Sequence, residues 1–313
     1  MNIRTYQPGD ELAQARIYNI AAGSLPGFKP GKPDEIAQRL RAGDSDPHAM
    51  FYATQNGEVV GYAVSSAIGR VSVPWCLPGA ESVQEPLLES LAAEMKKRGI
   101  SAAWAAYRAD WSPVLDFLRE HGFSQDKSMI NYVADISHLP STASLPSNRL
   151  VTPLNRDDLP QLAALGPILF HTLDVRTLEQ SLWESRFYSF PEQLLALKDA
   201  SSGELRGVSL VVIDDRFADP TKIDPSMPCF RLGAFGTEGQ RHKRVNGLFS
   251  CVFVDEPDGD LLLATSVQSV SNQSTLTHLA AQAPSDAKTL CSWYDRFFER
   301  QGSFPILSRQ LLP

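Results

Sequence analysis

Val114-Leu-Asp-Phe-Leu-Arg-Glu-His-Gly-Phe123 and Trp293-Tyr-Asp-Arg-Phe-Phe-Glu-Arg-Gln-Gly-Ser-Phe304 decide how the chain reads. Both are amphipathic runs closed by a glycine and a phenylalanine. Phe117 and Phe123 meet Phe298 and Phe304 at a shared offset of 181. Towards the N-terminus, Val71-Ser-Val73 meets Val252-Phe-Val254 at the same offset. Gly57-Glu58-x-x-Gly61 returns as Gly203-Glu204-x-x-Gly207 at an offset of 146, and Thr5, Asp10, Leu12 and Gln14 return as Thr152, Asp157, Leu159 and Gln161 at 147. The chain is therefore one unit written twice, with about 34 extra residues between Gly207 and Val252.

Each copy carries the same run of local signals. A short strand leads to an aspartate suited to the start of a helix, where it accepts free backbone N–H groups. The Gly-Glu pairs join strand-like runs, FYATQ with VVGYAVSS and QLLALKD with RGVSLVVI, as hairpins. VSVPW and LFSCVFV are buried strands; LFSCVFV is β-branched and aromatic, which favours strand over helix. Residues 82–98 place Leu87, Leu88, Leu91, Ala92 and Met95 at helical spacing, and Gly99 stops that helix behind Lys96-Lys97-Arg98. SAAWAAY is a strand, SPVLDFLREHG a helix with Pro113 in its first turn, and FSQDKSMINYVADI a closing strand. In the second copy DEPDG reads as a turn, DLLLATSVQSVS as a helix, TLTHLAAQA as a strand, SDAKTLCSWYDRFFERQG as a helix and SFPILSRQL as the close. The class is α/β with a mixed sheet (α+β) in each copy. The Ser- and Pro-rich stretch 137–148 reads as a linker, giving domains at 1–136 and 149–313 with an insertion at about 208–247.

Composition excludes several classes. With 313 residues, 43% hydrophobic and 21% charged, the chain is globular and long enough for two domains. A net charge of −7 without basic runs argues against phosphate-driven nucleic-acid binding. No apolar run reaches membrane-spanning length, and MNIRTYQPGD lacks the plan of a signal peptide. Cys76, Cys229, Cys251 and Cys291 have neither CxxC nor zinc spacing, so no metal is expected and the location reads as cytoplasmic.

The order strand, helix, hairpin, strand, helix, strand, helix, strand, with its glycine–phenylalanine ending, resembles the GNAT N-acetyltransferase superfamily. Two copies in one chain resemble the tandem arrangement of mycothiol synthase. The resemblance implies acetyl-CoA as co-substrate, a small-molecule or peptide amine as acceptor, and direct attack of that amine in a ternary complex. It also implies a pyrophosphate cradle between the fourth strand and the next helix, where backbone N–H groups and a helix N-terminus face the anion. Carried onto this chain, the cofactor positions are Val73, Trp75, Gly79, Ala80 and Ser82 in the first copy and Val254 and Gly259 in the second. The first copy, with the shorter and less acidic loop, is the expected cofactor side. Tyr294 is the expected acid for the leaving thiolate and Glu256 the expected base for the amine, while Leu118 and Phe298 stand where the family has its tyrosine. Arg241-His-Lys-Arg244 offers a second register for the cradle, with FRLGAF as the fourth strand. Neither loop matches the family pattern: Glu81 sits in the first, and four acids, Asp255, Glu256, Asp258 and Asp260, surround the second. A non-catalytic tandem fold that senses a ligand or serves assembly is the alternative. The chain is expected as a monomer with an internal pseudo-dimer, or as a homodimer.

Overall fold

In the computed structural model the described residues are 1–28, 30–41, 45–67, 69–141, 145–165, 175–183, 193–213, 245–270 and 277–311. The elements begin with β1 (Asn2–Thr5), α1 (Asp10–Ala21), α2 (Pro33–Arg41), β2 (Met50–Gln55), β3 (Glu58–Val64) and β4 (Trp75–Cys76). Next come α3 (Gln84–Lys97), β5 (Ala102–Ala106), α4 (Ser112–Glu120) and β6 (Ser124–Asp135). The second copy supplies β7 (Arg149–Pro153), α5 (Leu159–Leu165), α6 (Val175–Trp183), β8 (Leu194–Asp199), β9 (Leu205–Ile213) and β10 (Val245–Phe253). It ends with α7 (Glu256–Val270), β11 (His278–Pro284), α8 (Lys288–Phe297) and β12 (Glu299–Gln310). Two compact units form, one of Met1–Ser128 with Phe304–Pro313 and one of Met129–Ser303.

In the first unit β1, β2, β3 and β4 pair antiparallel in that order. Asn56 and Gly57, at φ of 51° and 84°, make the tight turn of the β2–β3 hairpin. Beside β4 the chain pairs in parallel with β5: the Val71 N–H donates to Trp104 O and the Trp104 N–H to Gly69 O, both at 2.8 Å. The far edge of β5 takes β12 antiparallel, from Ile306 opposite Ala106 to Gln310 opposite Ala102. The two sheet faces bury different side chains, as a period of two requires. Ala53 and Ala63 face Leu87, Leu91 and Met95 of α3 together with Leu307 and Leu311. Tyr52 and Tyr62 face Ile17 of α1 and Trp75, Trp111 and Val114.

In the second unit β7, β8, β9 and β10 are antiparallel neighbours, and β10 pairs in parallel with β11. The other edge of β11 takes β6, from His278 opposite Asp135 to Pro284 opposite Met129. The two closing strands are thus exchanged. The first copy's last strand completes the second unit's sheet, and residues 304–310 complete the first unit's. In the second unit too the sheet divides two cores, Leu159, Leu162, Leu178 and Leu182 on one face and Leu263, Val267, Trp293 and Tyr294 on the other.

The structure refines the repeat. Gly61 lies opposite Cys76 and Gly207 opposite Phe253, so the offset between copies rises from 146 to 177 across the insertion. Trp75–Leu77 therefore corresponds to Val252–Val254, where identities alone suggested Val71–Val73. Asp10 corresponds to Asp158, one residue beyond Asp157. Asp10 accepts the Gln7 N–H at 2.7 Å and Asp158 the Asn155 N–H at 3.0 Å, and both are buried. Two helices also differ from their sequence reading. Asp255-Glu-Pro-Asp-Gly259 opens α7 instead of forming a free turn, with Pro257 in the first turn where its missing N–H costs nothing. α8 ends at Phe297, because Phe298 is extended and residues 299–310 pair as a strand. Arg241–Arg244, FRLGAF and residues 214–244 of the insertion lie outside the described residues, while 208–213 and 245–247 belong to β9 and β10.

Cys76, Cys251 and Cys291 are free and buried. Burial pushes the Cys76 thiol up to about 11 and raises the other two as well. At pH 8 the Cys76 thiolate fraction is then on the order of one in a thousand. A Cys229→Ser chain is expected to show no fast labelling by a thiol-specific disulfide reagent at pH 8. All three thiols should react once denaturant is added; fast labelling of the folded chain would contradict this packing.

Candidate functional site

β10 and β11 run together only at Val245–Leu248 and His278–Ala280. Beyond Leu248 and Ala280 no pairing continues, although β10 runs on to Phe253 and β11 to Pro284. β9 holds the opposite edge of β10 from Gly247 to Phe253, and the Val254 N–H donates to Arg206 O at 2.9 Å. Antiparallel alternation then turns the Cys251 and Phe253 amides towards the side that β11 has left. At this parting lies a cavity of about 400 Å³ lined by Val252, Phe253 and Val254 from the β10 end and by Asp286, Ala287, Lys288, Thr289 and Leu290 from the start of α8. Its wall is apolar except for Asp286, Lys288 and Thr289.

α7 starts two residues past Val254, and its N-terminus is occupied by the chain's own carboxylates. Asp255 accepts the Asp258 N–H at 3.1 Å as a helix cap. The buried Asp258 accepts from Arg149 Nε at 2.7 Å and Arg206 Nε at 2.9 Å. Glu256 and Asp260 share Arg296, at 3.0 and 2.9 Å. Asp260 also accepts the Trp293 indole N–H at 2.8 Å. These pairs raise the pKa of Arg149 and Arg296, chiefly through hydrogen bonds to Asp258 and Asp260. Gly259 is needed for packing: a Cβ there would stand 2.8 Å from the Phe253 ring and 3.0 Å from Trp293 Nε1.

The equivalent region of the first unit is filled. The Val73 N–H, beyond the last bond to β5, donates to the Tyr107 hydroxyl at 2.8 Å. Trp75 meets Tyr107 and Trp111 edge-on at 6.4 Å, and Tyr107 stacks on Trp111 at 5.9 Å. Burial raises the Tyr107 phenol, keeping it protonated as a fixed plug. In the loop that follows, Gly79 has φ of 84° and its N–H donates to Glu81 Oε1 at 2.9 Å. That bond holds the Glu81 carboxyl below its ordinary range. Ala80 is buried, and Ser82 is exposed in the short helical turn ahead of α3.

Of the residues singled out from sequence, Val254 lines the cavity, and Glu256 stands two positions further on, half-exposed and paired with Arg296. Gly259 packs behind it. Tyr294 is fully buried among Tyr132, Phe249, Trp293 and Phe298. Its hydroxyl lies 4.0 Å from the Cys251 sulfur, and burial raises its pKa far above the ordinary phenol value. Val73, Trp75, Gly79, Ala80 and Ser82 all belong to the first unit and are not brought to the cavity. Sequence reasoning missed Asp286–Leu290 as lining residues; the Pro284-Ser-Asp286 step from strand to helix was the available signal. It also missed Tyr107, which closes SAAWAAY at the strand end. Among the described residues no cluster of His, Cys, Asp or Glu could hold a metal ion, and no helix is long and apolar enough to cross a membrane.

No protein-family model matches the sequence, and no curated protein matches it. Solved structures do match. A GCN5-related N-acetyltransferase from Sphaerobacter thermophilus is similar over 100% of this chain and 96% of its own, with a TM-score of 0.65 at 14% identity. A tandem GNAT protein from the clavulanic acid biosynthesis pathway is similar over 100% and 99%, with a TM-score of 0.58 at 14% identity. A GCN5-related N-acetyltransferase from Anabaena variabilis follows over 99% and 73%, with a TM-score of 0.50 at 8% identity. The fold is the GNAT fold, present twice in one chain.

Proposed function

We propose that this chain transfers an acyl group from a thioester to an amine, with the second unit holding the thioester and the first serving as a structural copy. The parting of β10 and β11, with a cavity at their ends, carries the reading. It leaves a channel for an extended thioester arm beside backbone amides that no neighbouring strand takes up. In the transfer the amine nitrogen bonds the acyl carbon, the carbon–sulfur bond breaks, the amine proton passes to a carboxylate, and the leaving thiolate takes a proton from water. For the base, the candidates are Glu256 near the β10 end and Asp286 on the cavity wall. Tyr294 stays protonated, and through its hydrogen bond with Cys251 it fixes the strand that borders the channel. The acceptor is a small-molecule or peptide amine, and the cavity offers the exposed Asp286 to a cationic one.

A second reading, a non-catalytic ligand-binding double fold, draws on the Val73 amide already taken by Tyr107. Free-thiol release from acyl thioesters with a panel of amines separates the two, run beside an Ala287→Phe variant whose ring fills the cavity. Transfer is expected in the natural chain and a loss of at least about tenfold in the variant, with unchanged thermal unfolding. Thioester binding without thiol release for any amine would favour the second reading.

A further inference from the structure

The cavity opens beside a helix start that in most strand-to-helix turns would welcome an anion. Here that welcome is withdrawn twice over. The first amide that Asp255 reaches is already capped, and Arg149, Arg206 and Arg296 are each committed to Asp258, Asp255, Glu256 or Asp260. Four carboxylates meet three arginines around the start of α7, so the surplus charge at that helix start is negative. In the first unit the corresponding turn does the same by a different route, with Glu81 on the Gly79 amide. Two copies that share little sequence in this loop both place their own carboxylate where a ligand phosphate would otherwise bind. On the cavity wall itself Asp286 and Lys288 cancel in charge, and Val252, Val254, Ala287 and Leu290 suit an apolar, uncharged arm.

We infer that the donor is recognised through a pantetheine-type thioester arm and not through a nucleotide pyrophosphate, so that short uncharged pantetheine thioesters are its substrate class in preference to acyl-CoA. This rests on the cavity being the donor site, as proposed above. The residues present fit the arm; they do not fit a pyrophosphate at the start of α7.

Calorimetric titration of the full chain with acetyl-pantetheine and with acetyl-CoA, at low and at high salt, tests it. Acetyl-pantetheine is expected to bind at least as tightly as acetyl-CoA, and acetyl-CoA alone should gain affinity as salt screens the mouth. The Asp255→Asn variant keeps a capping side chain and removes one charge. It is expected to tighten acetyl-CoA by about fivefold while leaving acetyl-pantetheine unchanged. Acetyl-CoA binding more than about threefold tighter than acetyl-pantetheine and weakening with salt would overturn the inference and leave the acyltransfer reading standing. Heat from neither probe at millimolar concentration would overturn both.

Discussion

A chain ending at Ser303 should lose the folded first unit. Truncation there removes Phe304, Leu307 and Leu311, all less than a tenth exposed, and strips the partner from the outer edge of β5. Core leucines cost about 2–5 kcal/mol each when cut back to alanine, and a domain holds only about 5–15 kcal/mol in total. The losses therefore exhaust the reserve. Limited proteolysis with mass mapping reads the result: residues 1–128 should become cleavable throughout. Continued protection of that span in the truncated chain would disprove the strand exchange. Leu307→Ala alone is the milder form, expected to cost about 3 kcal/mol with the fold retained.

Replacing Asp258 with alanine has the second-largest expected effect. Asp258 is 1% exposed and anchors Arg149 and Arg206 at once, joining β7, β9 and the first turn of α7. Removing one partner of a buried ion pair costs about 3–5 kcal/mol. The lower end applies because both arginines reach solvent and keep other partners, Asp199 and Asp255. About 3 kcal/mol corresponds to a fall of about 6–12 °C in the melting temperature of a unit this size. Asp258→Asn, which keeps the shape and loses the charge, should recover part of it. A melting temperature unchanged in the alanine variant would show that the arginines are held by Asp199 and Asp255 alone.

The duplication was legible because glycine turns, helix stops and apolar periods are local signals. Gly57 and Gly203 mark the hairpins, and Gly99 ends α3 where the sequence places it. Strand exchange was not legible. The closing strands of both copies follow a glycine–phenylalanine corner and offer alternating side chains, and nothing in that pattern says which β5-like edge each will join. The helix start at Glu256 was partly legible, since an aspartate followed by a proline in the first turn is a start signal; the string of acids read more readily as a loop. The site was least legible of all. Parallel strands part where tertiary packing ends their ladder, and the amide plug at Val73 depends on a tyrosine 34 residues further along the chain.

Because synthesis runs from the N-terminus, the exchange also sets a timetable. The ribosome will have released every residue of the second unit, and then a final short segment, before the first can close its sheet. Until that moment the nascent β5 edge stands open, so the half of the protein made earliest is the half that matures last.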